Sequence, residues 1–60
     1  MKAKVGTRVF EDKSWNGLVS RIVAAYNLNT SSGERTSAAR WLEDGEDVRL
    51  GNAVTVKPLR

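Results

Sequence analysis

Residues 12–28, DKSWNGLVSRIVAAYNL, decide the fold. Trp15, Leu18, Val19, Ile22, Val23 and Tyr26 recur at the three- and four-residue spacing that stacks side chains along one side of an α-helix. No other stretch offers so large an apolar stripe, and every other element is too short to stand without it. Asp12 or Ser14 caps this helix by accepting from its free N–H groups, and the acids suit the positive end of the helix dipole. Gly17 in the first turn costs about 1 kcal/mol relative to alanine. It therefore marks close approach of another backbone, either within the fold or from a partner. The outer face, Asn16, Ser20, Arg21, Ala24 and Asn27, carries a single charge. Asn16, Gly17, Ser20 and Arg21 are thus candidate protein-contact residues. Asn27 tolerates the left-handed conformation and suits the helix end.

Upstream, residues 2–10, KAKVGTRVF, alternate. One strand is expected, with Ala3, Val5, Thr7 and Val9 on a buried face and Lys2, Lys4, Gly6 and Arg8 on a basic one. Phe10 breaks the pattern, either turning inward at the strand's end or standing as an exposed contact residue.

Downstream, NTSSGER at 29–35 has the composition of a loop. A short second helix is expected to follow, capped by Thr36 or Ser37, with Ala38, Trp41 and Leu42 inside and Gly45 just past its end. A start at Ser31 matches the capping-box spacing to Glu34, but the later start is preferred. Residues 46–59, EDVRLGNAVTVKPL, form a hairpin. A two-residue loop at Gly51-Asn52 would set Val48 and Leu50 on the opposite face from Val54 and Val56. A three-residue loop, Gly51 to Ala53, pairs Leu50 with Val54 and Val48 with Val56. It also sets Arg49 opposite Thr55 and Asp47 opposite Lys57. Because a one-residue slip flips a strand's faces, the three-residue loop wins. Pro58 either ends the last strand or places it on a sheet edge.

The expected fold is a single α+β domain over residues 1–60, a small two-layer β-α-α-β-β unit. Its three-stranded sheet includes the C-terminal hairpin, and two helices cover one face. A chain of this length hides only about 60% of its unfolded surface. Its core must come from few side chains: Val5, Val9, Trp15, Leu18, Val19, Ile22, Tyr26, Trp41, Leu42, Val48, Leu50, Val54 and Val56.

Composition excludes much chemistry. The chain has neither cysteine nor histidine, so Ser/His/Asp and Cys/His constellations, disulfides and thiolate zinc sites are impossible. The acidic run EDGED at 43–47 is broken by Gly45 and lacks a calcium-loop pattern, so it is a solvated turn. No enzyme, metal or cofactor is expected. The first residues lack the apolar run of a signal peptide, and no stretch approaches the roughly 20 apolar residues of a membrane span. A soluble cytoplasmic protein without membrane association is expected.

Ten Lys/Arg against seven Asp/Glu give a net charge of +3, and the charges are segregated. Six of the acids fall in Glu11–Asp12 and Glu43–Asp47. The expected open sheet face collects Lys2, Lys4, Arg8, Arg49 and Lys57, a pattern suited to nucleic-acid phosphates. A second candidate is the start of the short helix, where Arg35 and Arg40 flank Thr36 and Ser37, suited to phosphate contact and base-edge reading. The plainer alternative makes the lysines a polar sheet face that guards an edge.

RTSAARWLEDGEDVRLGNAVTV, about a third of the chain, loosely resembles the second helix and wing of small winged-helix excisionases and MerR-type repressors. The likeness lies in a Ser/Thr-rich helix start, an Arg-Trp near its end, a glycine, then a hairpin. Those proteins join their helices by a tight turn, whereas NTSSGER intervenes here. A small non-enzymatic regulator of phage or plasmid kind, binding nucleic acid, is the favoured expectation. The alternative is a protein-directed inhibitor of a host nucleoprotein machine, anti-CRISPR-like, that docks on an acidic protein or nucleoprotein surface and blocks it. A homodimer is a linked possibility, since a core this small is marginal and edge strands invite pairing.

Overall fold

The structure is a computed structural model and describes residues 1–59. Its elements run β1 (Lys2–Val5), β2 (Arg8–Glu11), α1 (Trp15–Tyr26), α2 (Ser32–Glu43), β3 (Val48–Leu50) and β4 (Val54–Leu59). All pairings are antiparallel, in the order β2-β1-β4-β3. The domain is α+β with two helices, as expected, but its sheet has four strands rather than three.

The extra strand arises at Gly6. Its φ of +60° opens a two-residue turn, Gly6-Thr7, that pairs Val5 with Arg8 and Ala3 with Phe10. A left-handed first residue followed by one of ordinary φ is the type II′ pattern, whose twist suits a hairpin. The single strand expected over residues 2–10 is therefore a hairpin, and Thr7 lies in its turn. The fold-back also changes parity. Val9 lands on the outer face opposite Lys4, 58% exposed, while Phe10 turns inward opposite Ala3.

α1 begins where Ser14 accepts from the Gly17 N–H at 3.0 Å. It ends at left-handed Asn27, φ 52°, with Leu28 donating to Val23 and Asn27 to Ala24. These two bonds satisfy carbonyls that a helix end leaves free. Leu18, Val19 and Ile22 are fully buried, and Trp15, Val23 and Tyr26 pack around them.

α2 starts earlier than expected. Ser31 is its cap, accepting from Glu34 N–H at 3.1 Å. Thr36 instead donates its hydroxyl to the Ser32 carbonyl inside the helix. The buried face is Ala38, Ala39 and Leu42, and Trp41, expected inside, stands on the flank, 53% exposed. The helix closes on Gly45, φ 88°, through Gly45 N–H to Leu42 and Glu46 N–H to Trp41.

The β3–β4 register is as expected, with Leu50 paired to Val54, Arg49 to Thr55 and Val48 to Val56. Gly51 and Asn52 both take left-handed φ, 57° and 55°, and Ala53 N–H closes onto Leu50. Gly51 is also hemmed in, since an added Cβ would lie 3.2 Å from Leu28 Cβ. The Glu34 carboxylate accepts its N–H at 3.0 Å, so the turn docks on the start of α2.

Pro58 does not sit on an edge strand, because β4 lies between β1 and β3. The Leu50 carbonyl points to β4, so alternation turns Val54, Val56 and Pro58 toward β3. β3 pairs no further than Val56. Proline's missing donor therefore falls where no strand needs it. The hairpin that resembles a wing is thus no free wing, for β1 pairs along β4 from Lys2–Leu59 to Lys4–Lys57.

Among the described residues, no helix is long and apolar enough to cross a membrane. Two outcomes test the packing. Ile22→Ala should cost about 2–5 kcal/mol in chemical denaturation, enough to unfold much of so small a domain. Glu34→Gln should speed hydrogen exchange at the Gly51 amide with little change elsewhere.

Candidate polyanion-binding face

Both helices lie on one face of the sheet, with Ala3, Val5, Phe10, Leu50 and Val56 beneath them. The other face is open. Strand alternation places Lys2 and Lys4 of β1, Lys57 of β4 and Arg49 of β3 on it, each exposed. Glu11 lies opposite Lys2 at the β2 edge. Asp47 meets Lys57 at 3.8 Å across the far side. No carboxylate among the described residues lies within 4.0 Å of Lys2, Lys4 or Arg49.

The centre of this face is the Lys4–Lys57 pair, directly opposed on the two inner strands. Like charges in that position repel across the few ångströms that separate facing side chains. Thr55 and Gly6 complete a shallow groove around them. The arrangement presents several cations at strand spacing, with Val9 and Leu59 as the apolar part of the same surface.

Arg8 is not part of it. The Gly6 turn sets Arg8 opposite inward-facing Val5. Its guanidinium stacks 4.9 Å from the Phe10 ring centre and 5.5 Å from that of Tyr26, capping the core edge on the helical side.

Arg35 and Arg40 lie on α2, away from the open face; Arg35 is in its first turn, its N–H donating to Ser31, while the earlier start leaves Arg40 in the helix's later half. Arg35 reaches back to the Thr30 carbonyl at 3.0 Å and hydroxyl at 3.2 Å, bracing the connection between the helices. Arg40 is exposed beside Trp15, Asn16 and Thr36, in a depression between the helices.

On α1, Asn16 and Ser20 are exposed. Gly17 has a local cause that sequence reasoning missed. A Cβ there would meet the Asp12 carboxylate, 2.8 Å from its Cγ. Asp12 folds over the first turn, accepts from Lys13 N–H at 2.7 Å, and pairs with Arg21 at 2.9 Å. Asp12, expected only as a cap, thus holds Arg21 in an internal ion pair.

No family model matches the chain, and no curated protein or solved structure is significantly similar to it. A functional reading rests on these surfaces alone.

The Arg21 guanidinium holds the Asp12 carboxyl below the usual aspartate range, helped by the Ser14 and Lys13 N–H groups and opposed by partial desolvation. A carboxyl whose folded pKa is depressed adds stability that is complete above its ordinary pKa. That stability is lost as pH falls through the folded value. Melting temperature should therefore drop below the ordinary aspartate range, and Arg21→Ala should flatten that part of the profile.

Proposed function

We propose that the protein is a small non-enzymatic binding module whose open sheet face takes a polyanion, with nucleic acid the favoured class. The opposed Lys4 and Lys57 side chains carry the reading. Two lysines opposed at the centre of a sheet add nothing to the fold, for among the described residues Lys57 reaches only Asp47, at 3.8 Å, and Lys4 reaches no carboxylate, whereas a bound phosphate neutralises both and releases counterions. Lys2 and Arg49 extend the same surface along the sheet. Arg8, Arg35 and Arg40 contribute long-range potential but no contact on this face.

Such a surface binds backbone rather than sequence. Three of its four cations are lysines, flexible point charges, and of the arginines suited to base edges only Arg49 lies on it, with Arg35 and Arg40 elsewhere. A regulator that coats or masks nucleic acid fits these properties better than one that reads an operator through α2.

The test is a titration of labelled duplex and single-stranded oligonucleotides against salt, followed by fluorescence anisotropy. For duplex, each phosphate contact should add about −0.9 to the slope of log affinity against log salt. Lys4→Ala should reduce the magnitude of that slope by about one unit, weaken all sequences alike, and leave the melting temperature equal or higher. Arg40→Ala should leave the slope unchanged. Absence of binding at micromolar protein and low salt overturns the proposal. The outcome then expected of a protein-directed inhibitor is a stoichiometric partner that survives nuclease and is lost on changing Asn16 or Ser20.

A further inference from the structure

We infer that β3 is a self-association edge, where two copies join strand to strand into a continuous eight-stranded sheet. β3 is one of the two outer strands. The Leu50 carbonyl accepts from Ala53 on the β4 side, so strand alternation turns the Arg49 N–H and C=O outward, away from β4. These groups have no neighbour strand, and free edge groups of this kind are templates for pairing.

Charge and parity select the occupant. In antiparallel pairing, facing residues share a sheet face, so a two-fold axis beside Val48 sets Val48 against its own copy and Asp47 against Arg49 of the second chain. Both ionic contacts form at once, because the same edge is used twice. On the open face Asp47 then lies between Lys57 of its own chain, already 3.8 Å away, and the incoming Arg49. On the helical side, the half-buried Val48 lines a groove with Ala38 and Trp41, whose ring is 53% exposed. The two-fold brings both copies of Trp41 over the Val48 pair and covers them. The opposite edge, β2, offers no such match. Arg8 and Glu11 lie on different faces, so no register about a two-fold sets one against the other.

In the dimer the two copies present their basic faces on the same side of one sheet, doubling the length available to a polyanion.

Sedimentation equilibrium from micromolar to millimolar chain tests this, with circular dichroism as the check on folding. Wild-type protein should show a monomer–dimer equilibrium. Arg49→Asp and Asp47→Arg each set like charges against one another in both symmetric contacts. Each should weaken self-association by about tenfold or more. Mixing the two variants restores both attractions, and heterodimer should form with wild-type affinity. Arg49→Pro removes the outward N–H and should abolish the dimer while leaving the monomer folded. Wild-type protein that stays monomeric throughout overturns the inference. So does a dimer indifferent to both charge reversals and to Arg49→Pro.

Discussion

The pairing of β1 with β4 holds the molecule together. Each of the two hairpins is a two-stranded ribbon, a unit that is marginal in water by itself. Their shared register, Lys2 with Leu59, Ala3 with Pro58 and Lys4 with Lys57, makes one four-stranded sheet. Only then do Ala3, Val5, Leu50 and Val56 form a floor on which α1 and α2 bury Leu18, Val19, Ile22 and Leu42 completely or nearly so. The same pairing creates the electrostatic feature of the open face. Closing the sheet at this register requires two lysines to oppose each other. The hydrophobic gain beneath them is far larger than the exposed repulsion above, so the fold tolerates the clash of charge.

How much of this is legible in the chain depends on the range of the governing interaction. α1 is plain from its apolar stripe, and Asn27 marks its end as expected. The β3–β4 register follows from facial parity alone, which is why Arg49 and Lys57 fall on the open face as anticipated, and the alternation of β1 places Lys2 and Lys4 beside them. The first hairpin is hidden because KAKVGTRVF alternates well enough to pass for one strand. The single signal against it is Gly6, whose left-handed φ costs a glycine nothing. Missing that turn exchanges Val9 for Phe10 in the core and misplaces Arg8. That β1 would find β4 as its second neighbour is a long-range fact with no local mark.

The second helix shows a closer contest. Ser31 and Thr36 are both sound caps, and local propensity separates them little. Tertiary contact decides for Ser31, because an early first turn lets the Glu34 carboxylate reach the Gly51 N–H and Arg35 brace Thr30. The capping-box glutamate thus serves the hairpin turn rather than its own helix start. The face that α2 turns to the sheet is centred on Ala38, Ala39 and Leu42, which leaves Trp41 on the flank. Small alanines let α2 sit close to β3 and β4, which leaves the large indole beside the edge strand.

β1 and β4 lie at the two ends of the described chain, so their pairing has one of the longest loop closures the domain could have. β1, β2 and α1 are made before β4, and they have no complete floor until β4 has followed. Until then their apolar faces stay open, a period in which a growing chain is exposed to chaperones and to misassociation. Neither hairpin has its full floor before β4 joins β1 to β3. A chain cut just before β4 keeps both helices but loses the strand that joins the two edges of their floor.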